Sequence, residues 1–229
     1  MLLNTGTTRQ TSQNQLLSTV AWTIGKETHY ALEGSVFIGG AAVAWLRDGL
    51  GLIEDSYEIE ELARTVPDSG GVVFVPAFNG LGTPHWDQDA RGLMIGLTRG
   101  TTRGHIARAT LEAIALQVTD LVKAMERDSG LELRELRVDG GAASNSLLLQ
   151  IQSDLLQAKV SKPKNTETTA LGAALLAGLG VGLYPDLEFL SCIGETEKVY
   201  EPQKTLADME SLTSFWNKAV ERSKAWEES

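Results

Sequence analysis

Residues 138–145 read VDGGAASN, and this junction is the best starting point for interpreting the rest of the chain. The apolar run before it predicts a strand over residues 133–138, and Ser144 predicts the cap of a helix over residues 145–157. Two glycines let the backbone approach a planar or anionic ligand, and a helix N-terminus offers unpaired N–H groups. Asn145 is placed to reach the edge of an adenine ring. The pattern predicts either a nucleotide-binding turn or a tight strand–helix connection that needs glycine for its backbone alone.

Two further segments are rich in small residues. Residues 37–42 (FIGGAA) open a helix that ends at Gly49 and Gly51, and residues 169–174 (TALGAA) open another. Small side chains let a second element lie close to a helix, and they also suit the wall of a nucleotide site. Close helix packing and a nucleotide wall are both open interpretations of these segments.

Hydrophobic periodicity predicts an α/β layered domain, with antiparallel strands first and strand–helix alternation after them. Strands are predicted over residues 16–24, 29–33, 72–75, 92–97, 133–138 and 159–164. Helices are predicted over residues 57–65, 104–127, 145–157 and 168–179, in addition to the one that ends at Gly49. Residues 183–200 are predicted to be irregular. Residues 206–229 are predicted to form a C-terminal amphipathic helix, with apolar residues as far as Trp226.

The composition is that of an acidic globular protein. Of 229 residues, 42% are hydrophobic and 22% are charged, which is enough apolar material for a core. The formal net charge of −10 disfavours nucleic-acid binding, because no basic patch offsets it. The single cysteine, Cys192, excludes an internal disulfide and indicates a reducing, cytoplasmic compartment. The sequence predicts neither a membrane span nor a signal peptide.

Several common catalytic and phosphate-binding motifs do not occur in this sequence. The GxxxxGK[ST] phosphate loop, a strand-to-helix GxGxxG and the GxSxG elbow are all absent from the sequence. Asp87 and Asp89 are spaced like a metal-binding pair, but the turn-forming residues 79–91 around them favour a solvated loop. Gly178 to Gly182 follow a helix, where the dipole has the wrong sign for an anion, so a C-cap is the better interpretation. One cysteine and three widely spaced histidines predict no zinc site.

The first residues, Leu2 to Gly6, resemble the end of a strand that runs into a turn. A natural domain seldom opens inside such an element. We therefore expect that the first strand is truncated, that Met1 is an internal methionine, and that the chain is part of a longer protein.

Longer motifs extend this interpretation. Residues 92–97 read GLMIGL, and after seven further residues 105–112 read HIARATLE. Four more segments are YALEGSVF (30–37), VPAFNGLGTPHWD (75–87), RVDGGA (137–142) and ETTALGAA (167–174). Together these motifs resemble the C-terminal half of the FGGY carbohydrate kinase family, and most closely its members that phosphorylate glycerol. The resemblance covers the whole chain.

The resemblance implies an actin-like ATPase fold with a ribonuclease-H-like core, in which two domains flank a cleft for ATP and a polyol. Residues 1–229 correspond to the C-terminal, nucleotide-side domain, and the N-terminal domain is absent. By motif, Gly141 and Asn145 fall on positions that contact the adenosine part of ATP or ADP, and Gly40 falls on another nucleotide-site position. The family often has glutamine four residues later, where this chain has Ala44, so one possible hydrogen bond is removed.

The resemblance also implies a reaction, in which MgATP phosphorylates glycerol to give sn-glycerol 3-phosphate and ADP in glycerol catabolism. The general base, the phosphate loop and the Mg²⁺ carboxylate belong to the absent N-terminal domain, so no catalytic or metal-binding residue is assigned here. The chain alone is expected to be inactive, and the intact enzyme to be a homodimer or homotetramer. Two alternatives stay open: a kinase of the same family for another polyol or a pentulose, and a non-catalytic module that binds nucleotide or a partner.

Overall fold

The computed structural model describes residues 1–227, which form three small sheets and helices packed around one long central helix. The strands are β1 (Leu2–Gly6), β2 (Leu17–Ile24), β3 (Glu27–Glu33), β4 (Val73–Val75), β5 (Leu93–Ile95), β6 (Glu135–Arg137), β7 (Lys159–Pro163) and β8 (Thr196–Tyr200). The α-helices are α1 (Gly40–Asp48), α2 (Glu58–Ala63), α3 (Arg103–Ser129), α4 (Ser146–Leu156), α5 (Thr168–Gly180), α6 (Leu187–Ser191) and α7 (Leu206–Ser223). No helix among these residues is both long and apolar enough to cross a membrane.

The first sheet is antiparallel, in the order β1-β3-β2. The β2–β3 hairpin turns at Gly25, whose φ of +61° is a conformation that glycine adopts without strain. Leu32 of β3 is fully buried against Leu121 and Met125 of α3. The strands predicted over residues 16–24 and 29–33 are thus confirmed, and they cover one face of the central helix.

Helix α3 organises the core. It confirms the helix predicted over residues 104–127 and ends at Gly130, which is left-handed with φ of +68°. Leu111 and Leu116 of α3 are buried together with Val75 of β4 and Trp216 of α7. Trp216 also donates from Nε1 to Asp120 Oδ2 at 2.7 Å, which fixes the C-terminal helix against α3.

The third sheet corrects one expectation. Residues 183–200 were predicted to be irregular, but they contain α6 and β8, and β8 pairs antiparallel with β7. Strand β7 in turn pairs parallel with β6. The sequence of β8 shows no apolar face, and Tyr200 is its one buried residue. A charged residue of β8 pairs with the neighbouring strand, since Glu197 lies 3.0 Å from Lys162 of β7. Edge strands of this kind carry charge on both sides, which hides the pattern of period two.

Two predicted helix ends also need correction. Helix α4 is capped by Asn145, and Ser144 lies in a 3₁₀ turn where its hydroxyl donates to the carbonyl of Gly141 at 2.7 Å. The helix predicted over residues 206–229 ends at Ser223, because the chain then turns to bond the loop before β5. The amide of Ala225 donates to Asp87 Oδ2 at 2.9 Å. Residues 228–229 lie outside the described residues.

Candidate functional site

A cleft of about 480 Å³ opens between α1, α2 and the turn that precedes α4. The first part of α1 forms one wall, and the turn of residues 141–145 forms another. Residues 55–57, 59 and 60 also line the cleft. The floor is apolar and is contributed by four different helices, through Val43, Ile59, Leu111, Ile114 and Leu148. The arrangement suits a flat, partly apolar ligand held between two backbone walls.

The two walls are open because they are built from glycine. A Cβ atom added at Gly40 or at Gly141 would meet no heavy atom within 4 Å. Between β6 and the wall, Gly140 has φ of +74° and ψ of −177°, a conformation that is strained for a side chain. Its amide donates to the carbonyl of Thr166 at 3.0 Å, and Asp139 accepts a hydrogen bond from the Thr168 hydroxyl. The start of α5 therefore anchors the turn, and the glycines leave its cleft side free.

Asn145 occupies the end of the second wall. Its Oδ1 accepts a hydrogen bond from the amide of Leu148 at 2.8 Å and so caps α4. Within residues 1–227, its Nδ2 makes no hydrogen bond. The cap fixes the orientation of the carboxamide, so that the two N–H groups of Nδ2 are available as donors to a ligand.

The charged groups of the cleft favour an uncharged part of a ligand. The lining includes the carboxylates of Asp55 and Glu60 and a single cation, Arg47. Arg47 is engaged by Asp48, at 2.7 Å from Nε and 2.9 Å from Nη2. The hydrogen bond from Arg47 lowers the pKa of Asp48, so this carboxylate stays ionised. Its charge neutralises the guanidinium, and no unpaired cation remains among the lining residues for a phosphate.

A protein-family model matches most of the chain. Residues 1–181 match the C-terminal domain of the FGGY family of carbohydrate kinases. The chain belongs to this family. Its α/β architecture is the actin-like ATPase fold, with a ribonuclease-H-like core, as the sequence predicted.

Relatives of this FGGY chain include proteins named as glycerol kinases and xylulose kinases. A glycerol kinase of Nitratidesulfovibrio vulgaris is 56% identical over 228 residues, which are 100% of this chain and 46% of the relative. The crystal structure of Plasmodium falciparum glycerol kinase with ADP superposes with a TM-score of 0.90 at 38% identity, over 97% of this chain and 44% of that one. A xylulose kinase of Rhodospirillum rubrum gives 0.75 at 25% identity, over 96% and 46%. The chain spans about half the length of the curated relatives it matches.

The structure brings three of the four predicted site residues of this FGGY domain together. Gly40, Gly141 and Asn145 all line the cleft, although about a hundred residues separate the first from the other two. Ala44 lies one turn beyond Gly40 on α1 and is half-buried, but it is not part of the lining. Val43 and Arg47, which precede and follow it on α1, line the cleft.

Other lining residues were missed from the sequence. The segment Asp55–Tyr57 and Glu60 carry no recognisable motif, and Leu111 was identified only as an apolar residue of a helix. The one local signal was the polar, turn-forming run before α2. It predicts a loop but not what the loop faces.

Asp87, in the loop before β5, has a structural role. Asp87 Oδ1 accepts from the amides of Asp89 and Ala90, both at 2.8 Å, while Oδ2 accepts from Ala225. Burial acts to raise the pKa of Asp87, but these backbone hydrogen bonds outweigh it and hold the pKa below its usual value. Asp87 therefore ties the loop to the C-terminal segment. It is more enclosed than the solvated loop that the sequence predicted.

Proposed function

We propose that this chain is the nucleotide-binding part of a glycerol kinase. In the proposed reaction the γ-phosphoryl group of MgATP is transferred to glycerol, giving sn-glycerol 3-phosphate and ADP. The observation that carries the proposal is the cleft in which Gly40, Gly141 and Asn145 meet. Support for the acceptor comes from the 56% identity to a glycerol kinase along the whole chain.

In this proposal the cleft holds the nucleoside end of ATP. The adenine ring lies on the apolar floor, between the backbones of Gly40 and Gly141. The carboxamide of Asn145 donates to a ring nitrogen from Nδ2, while its Oδ1 remains the cap of α4. The lining carboxylates leave the phosphates outside the cleft, because like charges in a partly buried site repel. Ala44 offers no hydrogen bond, so recognition of the base rests on the opposite wall.

The proposal places the chemistry of the transfer outside these residues. Within residues 1–227, no group of three or more His, Cys, Asp or Glu side chains is arranged to hold a metal ion. The carboxylate of Glu60 in the cleft is already bonded to Arg64 and to the amide of Ser146. Residues 1–227 therefore do not fit Mg²⁺. The general base, the phosphate loop and the metal ligands belong, in this proposal, to another domain.

In this proposal the two domains of the complete enzyme have different roles. Residues 1–229 act as one lobe that closes over the nucleotide, since phosphoryl transfer depends on positioning and on exclusion of water. The complete enzyme is proposed to be a homodimer or homotetramer in the cytoplasm.

A coupled assay of ATP consumption tests the proposal. The 229-residue chain is compared with a chimaera in which it replaces the matching part of the N. vulgaris glycerol kinase. We expect no glycerol-dependent turnover by the chain alone and clear glycerol-dependent turnover by the chimaera. Turnover by the chain alone would contradict the location of the general base. A folded chimaera that binds no ATP would contradict the nucleotide role of the cleft.

A further inference from the structure

We propose that Glu60, on the short helix α2, is a positioning residue for the nucleotide site. Its carboxylate holds the first amide of α4 and thereby sets the position of Asn145. The inference rests on the proposed function, because it assigns a role in nucleotide binding to a residue that no motif marks.

The contacts of Glu60 join helices α2 and α4 beside the cleft. Its Oε2 accepts a hydrogen bond from the amide of Ser146 at 2.9 Å, across 86 residues of sequence. Its Oε1 accepts from Nη2 and Nε of Arg64, at 2.6 and 3.0 Å. The Glu60 side chain is 22% exposed, whereas that of Arg64 is 53% exposed. Arg64, at the end of the same helix, therefore holds one carboxylate oxygen, and the other accepts the hydrogen bond from the first amide of α4.

The position of this hydrogen bond gives it influence over the ligand wall. The first amides of a helix have no partner within the helix, and a negative charge beside them is favourable. Asn145 caps the amide of Leu148, and Glu60 takes the amide of Ser146. The side chain of Asn145 and the backbone amide that follows it are thus both restrained. If Glu60 were removed, the amide of Ser146 would lose its partner and the end of the wall would be free to shift away from Gly40.

Ser146 has a second restraint, which separates its own position from that of helix α4 as a whole. Its hydroxyl accepts a hydrogen bond from the Tyr200 hydroxyl at 2.9 Å, and Tyr200 is buried at the end of β8. Strand β8 thus holds the side chain of Ser146, and α2 holds its amide. Loss of Glu60 alone leaves the Tyr200 contact in place, so the helix stays folded while the turn before it loosens. The expected consequence is a local change in nucleotide affinity and not a loss of the fold.

The test compares Glu60→Ala with Glu60→Gln, and with Glu61→Ala as the matched control. Glu61 is the neighbouring residue of α2, is exposed and does not line the cleft. In the chimaera, we expect Glu60→Ala to raise KM for ATP about tenfold, with kcat and KM for glycerol within about twofold of the parent. Glu60→Gln keeps an acceptor oxygen and should recover most of the loss. Amide hydrogen exchange at Ser146 should accelerate in Glu60→Ala only.

The outcomes separate this inference from the proposed function. If the parent binds ATP and Glu60→Ala matches Glu61→Ala, the inference is wrong and the proposed function stands. If Glu60→Ala lowers kcat and raises both KM values together with a loss of thermal stability, the role is merely structural and the inference is also wrong. If the folded parent itself binds no nucleotide, the proposed function fails, and the positioning role falls with it.

Discussion

Gly141 is a residue at which a ligand role and a backbone role can be told apart. Its φ is not positive, and a Cβ there meets nothing within 4 Å, so a side chain is compatible with the fold. The adjacent Gly140, with φ of +74°, has the conformational need for glycine instead. The backbone therefore does not require glycine at position 141, and the missing side chain leaves space in the cleft.

We predict that Gly141→Val weakens ADP binding to the chain by at least about tenfold, because the added side chain fills space beside the nucleoside. Titration calorimetry with ADP measures the change, and the thermal midpoint reports the fold. Gly194→Val is the matched control, since Gly194 is equally open and lies outside the cleft. Unchanged affinity in a folded Gly141→Val protein would show that the turn is not a nucleotide wall.

Asp128, near the end of α3, anchors the segment before β2. It accepts hydrogen bonds from the Ser12 hydroxyl, from the Gln13 amide at 3.0 Å and from Asn14 Nδ2 at 2.6 Å. Burial acts to raise the pKa of Asp128, but these hydrogen bonds outweigh it, so the pKa lies below its usual value. The ionised form is therefore the one that the folded state prefers.

The preference of the folded state for ionised Asp128 predicts how the free energy of unfolding depends on pH. Asp128→Asn should lower the free energy of unfolding by about 1–3 kcal/mol at pH 7. A depressed folded-state pKa contributes stability above the unfolded value of about 3.9 and loses it as pH falls through the folded-state pKa. Urea unfolding between pH 7 and pH 2 should show the gap between parent and variant closing below about pH 4. A difference in unfolding free energy that stays constant with pH would contradict the role of the ionised Asp128 carboxylate. Glu210→Gln, at an exposed site, is the control.

Among the elements, helix α3 carries an ion pair that is largely buried. Arg108 Nε lies 2.7 Å from Glu112 Oε1, and their side chains are 11% and 6% exposed. The other carboxylate oxygen of Glu112 is buried and has no partner among the described residues. Removal of Arg108 would leave a buried charge uncompensated, which is far more costly than losing an exposed pair.

We therefore predict that Arg108→Ala lowers the free energy of unfolding by about 3–5 kcal/mol. Replacing both partners, by Arg108→Met with Glu112→Leu, should restore most of it, because no charge is then left buried. Chemical denaturation of the two variants measures the difference, with Arg103→Ala in the exposed first turn of α3 as control. A double variant as unstable as Arg108→Ala would indicate that packing, and not charge, holds the site.

The elements differ in how far the sequence predicted them. Helix α3 was predicted within two residues at either end, because its apolar residues recur at intervals of three and four and Gly130 stops it. Strand β8 was missed, since its charges are satisfied by strand β7 and not by anything local. The cap of α4 was assigned to Ser144 in place of Asn145, as both are good capping residues and only the 3₁₀ turn distinguishes them.

At the scale of the whole molecule, α5 and the segment after it expose much apolar surface. Helix α5 is composed of alanine, leucine, glycine and threonine only, yet Gly178 is its sole buried residue. Leu176, Val181, Leu183 and Phe189 are all exposed. Several exposed apolar side chains within one short segment favour association in water.

We predict that the 229-residue chain self-associates with increasing concentration, and that Leu176→Lys with Val181→Lys reduces this association. Multi-angle light scattering across a range of concentrations measures it. Leu206→Lys, which removes another exposed apolar side chain at the start of α7, should have little effect. If Leu206→Lys reduced association as much as the double variant, the surface that associates would not be that of α5 and the segment after it.

The family, the α/β order of elements and three lining residues of the cleft, Gly40, Gly141 and Asn145, could be predicted from the sequence. Each of these depends on local signals: periodicity, turn residues and contiguous motifs. The folded chain adds two features that no motif indicates: the cleft floor combines Val43, Leu111 and Leu148, and Glu60 accepts a hydrogen bond from the amide of Ser146. Periodicity reports which face of a helix is apolar, but not which element that face meets. Contacts across many tens of residues arise only when the chain has closed on itself, and no local pattern encodes them.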